Sequence, residues 1–452
     1  MGHPYTPRIL DLLVADVRRP PEWIAWRTDR QLCYLVRHVW SHVPLYRHLW
    51  SAAGVSPDLF AGRRSLPGLP FVDKVTIVAA GAEARDPQAP LRSLRSMTTS
   101  GTSGRSITTY FTLREMRVLR RSILRHLLAV GARPRDRFLT VASAWLREQK
   151  GVVMRLLTRL SGTRHLDIRA PLDEQINTLL SLRPKGLIGQ TGGIYILARE
   201  LCRRGQTLPM KTVITTGTTL LGDIRQMMVD AFAVQPRDLY GAVELGPISW
   251  QCRRGNYHVD ADRVVVEIVD DAGRRLPDGE RGHVVVTSLY QYTMPLIRYR
   301  LQDIAALSLR SCDCGCRFPL MEPVQGRVND FLATPTGDLV SPHFFFHLFD
   351  QTPTNPVKDW RVVQDDVKHL VYEYVPLKPF CERSLSAGVD LIRRRFGPDC
   401  DVQSRMVNDL PLTPAGKRRC IVSKLRPATM GFDRVWIGGD ADAQNGDVTR
   451  SH

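Results

Sequence analysis

Between Phe138 and Phe232 short apolar runs alternate with amphipathic segments, and that alternation restricts the fold more than any other feature of the chain. Phe138–Ala142 and Gly186–Gly189 read as short buried strands, Ile194–Gly205 as a helix, Lys211–Thr215 as a strand and Asp223–Phe232 as a helix. Such an order requires a sheet with helices laid against it. From Arg263 the pattern turns to β: Arg263–Val269 and His283–Thr287 are β-branched and bounded by the turn residues Asp270-Asp271-Ala272-Gly273 and Pro277-Asp278-Gly279, which predicts a hairpin or meander. Upstream, apolar spacing predicts helix over Thr28–Trp50, and over Leu113–Val130 with Thr112 as N-cap and Gly131 as stop. A break near Gly326–Asp330 precedes a small segment with strands in Asp359–Tyr374 and a helix at Leu385–Phe396, and Gly438–His452 is a polar tail. The fold class expected is therefore α/β (α+β layered), with a large N-terminal part and a small α+β C-terminal part.

Charge narrows the partners. The 452 residues hold 63 Lys+Arg against 45 Asp+Glu, a net +18, which suits nucleic acid, an anionic membrane or acidic small molecules and proteins. The basic clusters are short (Arg117-Arg120-Arg121-Arg125, Arg203-Arg204, Arg393-Arg394-Arg395, Lys417-Arg418-Arg419) and read as solvated helix faces without the aromatic interleaving of a single-strand groove. No apolar run is long enough to span a membrane, and the first residues lack the layout of a signal peptide, so a cytoplasmic protein with no membrane partner is expected. Nine cysteines, five of them isolated, do not form a secreted disulfide framework. The others are grouped: Cys312, Cys314 and Cys316 in a C-x-C-x-C, and Cys252 ahead of His258.

Five short strings carry polar chemistry. The run Thr99, Ser100, Gly101, Thr102, Ser103, Gly104, Arg105 offers backbone N–H groups, hydroxyls and a cation to phosphate oxygens, although taken alone it also reads as a surface turn. It is not a Walker A loop, which needs G-x-x-x-x-G-K-[ST]. Gly217 lies in a Thr-rich string, and Tyr240-Gly241 is followed by Glu244, where a flat ring can approach the backbone and the acid can hold Mg²⁺. Asp303 closes the string from Pro295 and can accept from ribose hydroxyls, or can be a turn residue paired with Arg298. Arg327 and Asn329 lie in Gly326–Asp330, and Lys417 ends Leu410–Lys417.

In this order the five strings resemble the adenylate-forming superfamily of acyl-CoA ligases, luciferases and adenylation domains, in the branch of phenylacetate-CoA ligases and coenzyme F390 synthetase-like proteins. The resemblance covers nearly the whole chain. It implies a large AMP-binding domain over residues 1–328, a small mobile lid over 329–437 and a tail over 438–452. It also implies activation of a carboxylic acid, aryl or arylacetic, by ATP and Mg²⁺, with transfer of the acyl group to CoA. Ser100 to Arg105 would hold the β- and γ-phosphates, Gly217 and Tyr240 the adenine, Glu244 the Mg²⁺, and Asp303 and Arg327 the ribose and its phosphate. Asn329 would be the hinge, Lys417 would reach the carboxylate and α-phosphate, and Trp145, Gln190 and Gly192 would line the acid pocket. Members of this branch can carry a Cys/His cluster, so Cys252, His258, Cys312 and Cys314 would bind structural Zn²⁺, with Cys316 competing with Cys314.

The sequence departs from the pattern in four places. Arg105-Ser106 replaces Lys-Pro, Val243 replaces a hydroxyl residue, Leu301-Gln302 replaces Thr-Gly, and Asn329 replaces Asp. Two other readings stand beside the first. In one, a stand-alone adenylating enzyme passes the acyl group to an acidic carrier protein or an amine; in the other, a non-catalytic basic nucleic-acid-binding or scaffold protein uses a ligase fold. ATP, CoA and carrier proteins are polyanions, so the charge does not need nucleic acid, and a monomer or homodimer is expected.

Overall fold

The computed structural model describes residues 16–99, 107–132, 136–142, 164–167, 170–218, 220, 222–324, 332–336, 354–410 and 420–425, with short stretches between 339 and 352 and at 435–436. The described residues 16–324 form one compact unit, and those from 332 to 436 fall in a second.

The first unit begins with helices α1 (Pro21–His42) and α2 (Pro44–Ala52). The single helical stretch expected there is divided because Pro44 has no N–H to continue the ladder; the Val43 N–H closes α1 on Val39 O, and Pro44 starts α2 at a position that suits it. Helix α3 (Lys74–Ala80) is capped by the Asp73 carboxylate. Strands β1 (Arg95–Thr98) and β2 (Thr108–Phe111) pair as an antiparallel hairpin, and α4 (Leu113–Ala129) follows at once. Thr112 opens α4 with a capping box: its hydroxyl accepts from Glu115 N, and Glu115 returns the bond to Thr112 N.

Strand β3 (Phe138–Ala142), β4 (Arg164–Asp167), helix α5 (Leu172–Leu182), β5 (Gly186–Gln190), α6 (Thr191–Arg203), β6 (Thr212–Thr216), α7 (Gly222–Phe232) and β7 (Arg237–Ala242) form the alternating layer read from the sequence. Strands β3 to β7 pair in parallel. Leu139, Val141, Leu187 and Val213 share one face of the sheet and bury there against Ile176, Leu197, Leu201, Met228 and Phe232 of the helices.

At β8 (Gly246–Gln251) the polarity reverses. Strands β8, β9 (Tyr257–Val259), β10 (Val264–Val269), β11 (Arg281–Ser288), β12 (Tyr299–Ser308) and β13 (Leu320–Met321) pair antiparallel, completing an 11-stranded sheet in the order β10-β11-β12-β13-β9-β8-β7-β6-β5-β3-β4. The turn at the reversal, between β7 and β8, carries Glu244.

The second unit pairs β14 (Leu332–Ala333) with β15 (Leu339–Val340). It also holds a four-stranded sheet of β16 (Val357–Asp366), β17 (His369–Pro376), β18 (Asp401–Met406) and β19 (Ile421–Ser423), in the order β18-β17-β16-β19. Helix α8 (Glu382–Phe396) covers that sheet through Leu385, Val389, Ile392 and Phe396, which meet Val362, Leu370 and Tyr372. Gln364 fastens β14 to it, accepting from Ala333 N and donating to Ala333 O. Among the described residues no helix is long and apolar enough to cross a membrane.

Candidate active site and metal centre

The carboxyl ends of β5, β6 and β7 lie side by side because the strands are parallel and in register, Gln190 beside Thr216 and Thr216 beside Leu239. In open α/β sheets this edge is where ligands bind. Thr191, at the start of α6, donates through Oγ1 to Thr218 O at 2.9 Å, so the segment leaving β6 is held against the helix. Gly217 in that segment has φ +89°, a conformation open to glycine at no steric cost. Gln190 is half-buried, and Gly192 faces open space, with no atom within 4 Å of an added Cβ.

Two irregular pairings present the polar residues of this edge. Between the pairs Tyr240–Ser249 and Gly241–Pro247 strand β8 has one extra residue, Ile248, and a Cβ on Gly241 would stand 2.5 Å from Gly246 O, so only glycine fits there. Between His283–Ile304 and Val285–Arg300 strand β11 has Val284 alone, whereas β12 has Leu301, Gln302 and Asp303. Bulges re-aim side chains in this way. Gln302 has φ +64°, so the backbone keeps the left-handed geometry that a glycine would take more cheaply. The Leu301-Gln302 departure thus preserves the bend that offers Asp303.

The strings around Tyr240 and Asp303 meet. Tyr240 Oη donates to Asp303 Oδ2 at 2.7 Å, and Tyr299 Oη donates to Glu244 Oε1 at 3.0 Å. Gln291 Nε2 fixes the Glu244 backbone by donating to its carbonyl at 2.7 Å. Asp303 is therefore a strand residue rather than a turn partner of Arg298. Arg298 instead ties Glu267 at 3.2 Å to the carbonyls of Pro67 and Leu69. Tyr299, Gln291 and Thr191 were not singled out from the sequence; Tyr299 lay inside a recognised string, but nothing in the string indicated its partner.

Thr99 lies just past β1, where its N–H donates to Ile107 O and its Oγ1 accepts from Ile107 N, both at 2.9 Å, closing the two ends of the Gly/Ser/Thr string. Ser100, Gly101, Thr102, Ser103, Gly104, Arg105, Trp145, Arg327, Asn329 and Lys417 lie outside the described residues.

Beside this edge a buried carboxyl, Asp238 of β7, accepts from Thr215 Oγ1 at 2.8 Å and Tyr257 Oη at 2.9 Å. Burial raises it to about 6 against the opposing pull of those hydrogen bonds and of Arg225. Its N–H donates to Gln251 Oε1 at 3.0 Å, so β7 is tied to the segment carrying Cys252 and His258.

Cys252, His258, Cys312 and Cys314 bring one donor atom each to within 4.8 Å of one another. The Cys252 and Cys312 sulfurs are 3.7 Å apart, close to the roughly 3.8 Å edge of a tetrahedron with Zn–S bonds of ~2.3 Å. His258 Nδ1 meets Phe318 O at 3.2 Å, which turns Nε2 toward Cys314 Sγ, also at 3.2 Å. Burial lowers the His258 pKa, keeping the imidazole neutral and its lone pair available. Asn256 Nδ2 donates to Cys312 Sγ at 3.1 Å. The donor set fits a tetrahedral cation of zinc type, and Cys316 is not among the four: it is buried and its thiol is pushed up to about 12 by that burial.

One basic cluster needs correction. Arg125 is not on a solvated face: its side chain is 3% exposed and pairs with Asp260 and, at 2.6 Å, with Asp262. Burial would lower its pKa, but the two carboxylates more than offset this and raise it. Arg117 and Arg120 of the same helix are exposed, as expected of a solvated face.

Residues 332–424 match the family model of the CapK C-terminal domain. Phenylacetate-coenzyme A ligase of Thermus thermophilus is 29% identical over 327 residues, 69% of this chain and 72% of that protein. Protein CapK of Staphylococcus aureus is 22% identical over 255 residues, 56% of this chain and 55% of its own length. Among solved structures, 2-hydroxyisobutyryl-CoA ligase in the postadenylation state in complex with R3-HIB-AMP aligns with a TM-score of 0.76 at 16% identity, covering 90% of this chain and 91% of that one, a likeness of fold.

Proposed function

The chain belongs to the adenylate-forming superfamily, in its phenylacetate-CoA-ligase-like branch, and on that premise we propose that it activates a carboxylic acid with ATP as the acyl-adenylate, releases pyrophosphate, and passes the acyl group to the CoA thiol. The observation that carries the proposal is the convergence of Gly217, Tyr240, Glu244 and Asp303 at the carboxyl edge of the parallel strands, with Tyr240 bonded to Asp303.

A carboxylate attacking the α-phosphorus brings two anions together, so the site has to offset their repulsion and hold them in line. In this reading Tyr240 and Gly217 hold the adenine, Asp303 accepts from the ribose hydroxyls, and Ser100 to Arg105 wrap the phosphates. Glu244 offers a carboxylate to Mg²⁺, which when bound spreads the phosphate charge. Gln190, Gly192 and Trp145 are assigned to the acid pocket in this reading, and the open space beside Gly192 supports it. Arg327 contacts the nucleotide, Asn329 is the hinge of the smaller domain, and Lys417 bridges the carboxylate and α-phosphate. Val243 contributes no hydroxyl to the α-phosphate, so a larger share of that charge falls to Lys417. Zn²⁺ on Cys252, His258, Cys312 and Cys314 is structural, since the donor set leaves no open position.

The test is ATP–pyrophosphate exchange across a panel of aryl, arylacetic and short aliphatic acids, followed by thioester formation with CoA. Lys417→Ala should abolish exchange while leaving acyl transfer from a preformed adenylate. Unchanged exchange in that variant refutes the assignment.

A further inference from the structure

Two five-residue segments, Tyr240–Glu244 and Tyr299–Asp303, each open with a tyrosine and end with a carboxylate. Each tyrosine donates to the other segment's carboxylate, Tyr240 to Asp303 at 2.7 Å and Tyr299 to Glu244 at 3.0 Å. Both segments lie at bulges, so neither side chain is held by a regular ladder around it. Tyr299 is only 2% exposed and packs in the core with Leu296 and Ile297, which makes it the rigid member of its pair. Glu244 is buried, its carbonyl is held by Gln291, and its Oε1 is taken by Tyr299; Oε2 has no hydrogen-bond partner among the described residues.

We infer that these bonds form a reciprocal clasp in which Tyr299 is a positioning residue: by occupying Oε1 it fixes the carboxylate plane and leaves Oε2 of Glu244 as the single oxygen offered to the nucleotide-bound divalent cation. The inference rests on the proposed function, which supplies the nucleotide. Monodentate ligation suits a small octahedral ion that takes one or two protein carboxylates and fills its remaining positions with phosphate oxygens and water. A hydroxyl donating to a carboxylate also removes its freedom to rotate, so the ordering cost is met before the cation arrives. Through the second bond of the clasp, the ring that meets the base and the carboxylate that meets the ribose are held as one unit.

The experiment is calorimetric titration of ATP into the full chain, once in excess Mg²⁺ and once in EDTA, for wild type, Tyr299→Phe, Glu244→Gln and Glu244→Asp. The quantity read is the ratio of the two dissociation constants, the tightening contributed by the cation. Tyr299→Phe should leave the EDTA affinity within about twofold and lower the ratio about fivefold, the size of one lost hydrogen bond of average net strength. Glu244→Asp, which keeps the charge but draws the carboxylate away from Tyr299, should lower the ratio similarly, and the double variant no further. Glu244→Asp, which keeps Tyr299, decides the question if Tyr299→Phe fails to fold: a ratio equal to wild type overturns the clasp. In exchange assays the Mg²⁺ concentration for half-maximal rate should rise by the same factor, with kcat retained at saturating Mg²⁺. A Tyr299→Phe ratio equal to wild type while Glu244→Gln lowers it overturns the clasp alone, as does equal weakening in both buffers, which is the mark of a merely structural role. A wild-type protein that binds ATP in neither buffer overturns the functional reading, and the clasp with it.

Discussion

Raising the pH from 4 to 7 should destabilise the large unit through one buried group, Asp238. Its carboxyl sits between Thr215 and Tyr257 with a pKa of about 6, against an ordinary value of 3.8, and burial is the main cause. Because the folded state holds the proton more tightly than the unfolded state, this contribution to stability is fully present below about pH 4 and is lost as pH rises through 6. The gap between 3.8 and about 6 is worth about 3 kcal/mol at ~1.4 kcal/mol per pH unit. Other carboxylates titrate in the same range, so the quantity to follow is the difference between wild type and Asp238→Asn, which cannot ionise. Urea unfolding by tryptophan fluorescence at half-unit steps from pH 4 to 8 gives that difference. Relative to the Asn variant, wild type should lose about 3 kcal/mol across the range, most of it between pH 4 and 6, with a plateau above 7. A difference independent of pH refutes the claim that this carboxyl is held protonated by its surroundings.

Arg125→Met should cost about 3–5 kcal/mol, because it takes the shared cation from buried Asp260 and Asp262 and leaves Asp260 to Arg263 at 3.3 Å, whereas Arg117→Met on the exposed face of the same helix should change stability by under about 0.5 kcal/mol; denaturant melts of the two variants check this, and equal effects refute the burial argument. Metal analysis of the purified protein should find zinc that is lost in Cys312→Ser and Cys314→Ser and kept in Cys316→Ser. Loss in Cys316→Ser with retention in Cys314→Ser would exchange the roles of those two residues.

The sequence revealed the alternation from Phe138 to Phe232 well, because buried parallel strands must be short apolar runs and the covering helices must be amphipathic. It also placed the β-branched strands after Arg263 and the Thr112 cap. What it did not reveal depends on register. Whether β8 carries one extra residue opposite Gly241 follows from pairing, not composition, and so does the three-residue bulge that presents Asp303. The Tyr299–Glu244 bond links positions 55 apart and has no local signature. Arg125 reads like its neighbours Arg120 and Arg121 until the aspartates, more than a hundred residues away, come beneath the helix. The order of the polar strings was legible, but which atoms they share was not.

The Cys/His cluster also has a topological consequence. Cys252 and Cys312 are 60 positions apart, and the chain between them contains β9 to β12, with Tyr299 and Asp303 inside the loop. A cation that stayed on both thiolates in the unfolded chain would act as a cross-link, and closing a loop of that length in advance would remove chain entropy worth about 4 kcal/mol. Unlike a disulfide, such a staple survives in a reducing compartment and is released by chelators or acid. The strands that offer Asp303 would then refold with their ends already joined, so that metal supply, rather than redox state, would govern how readily this half of the sheet regains its bulged register.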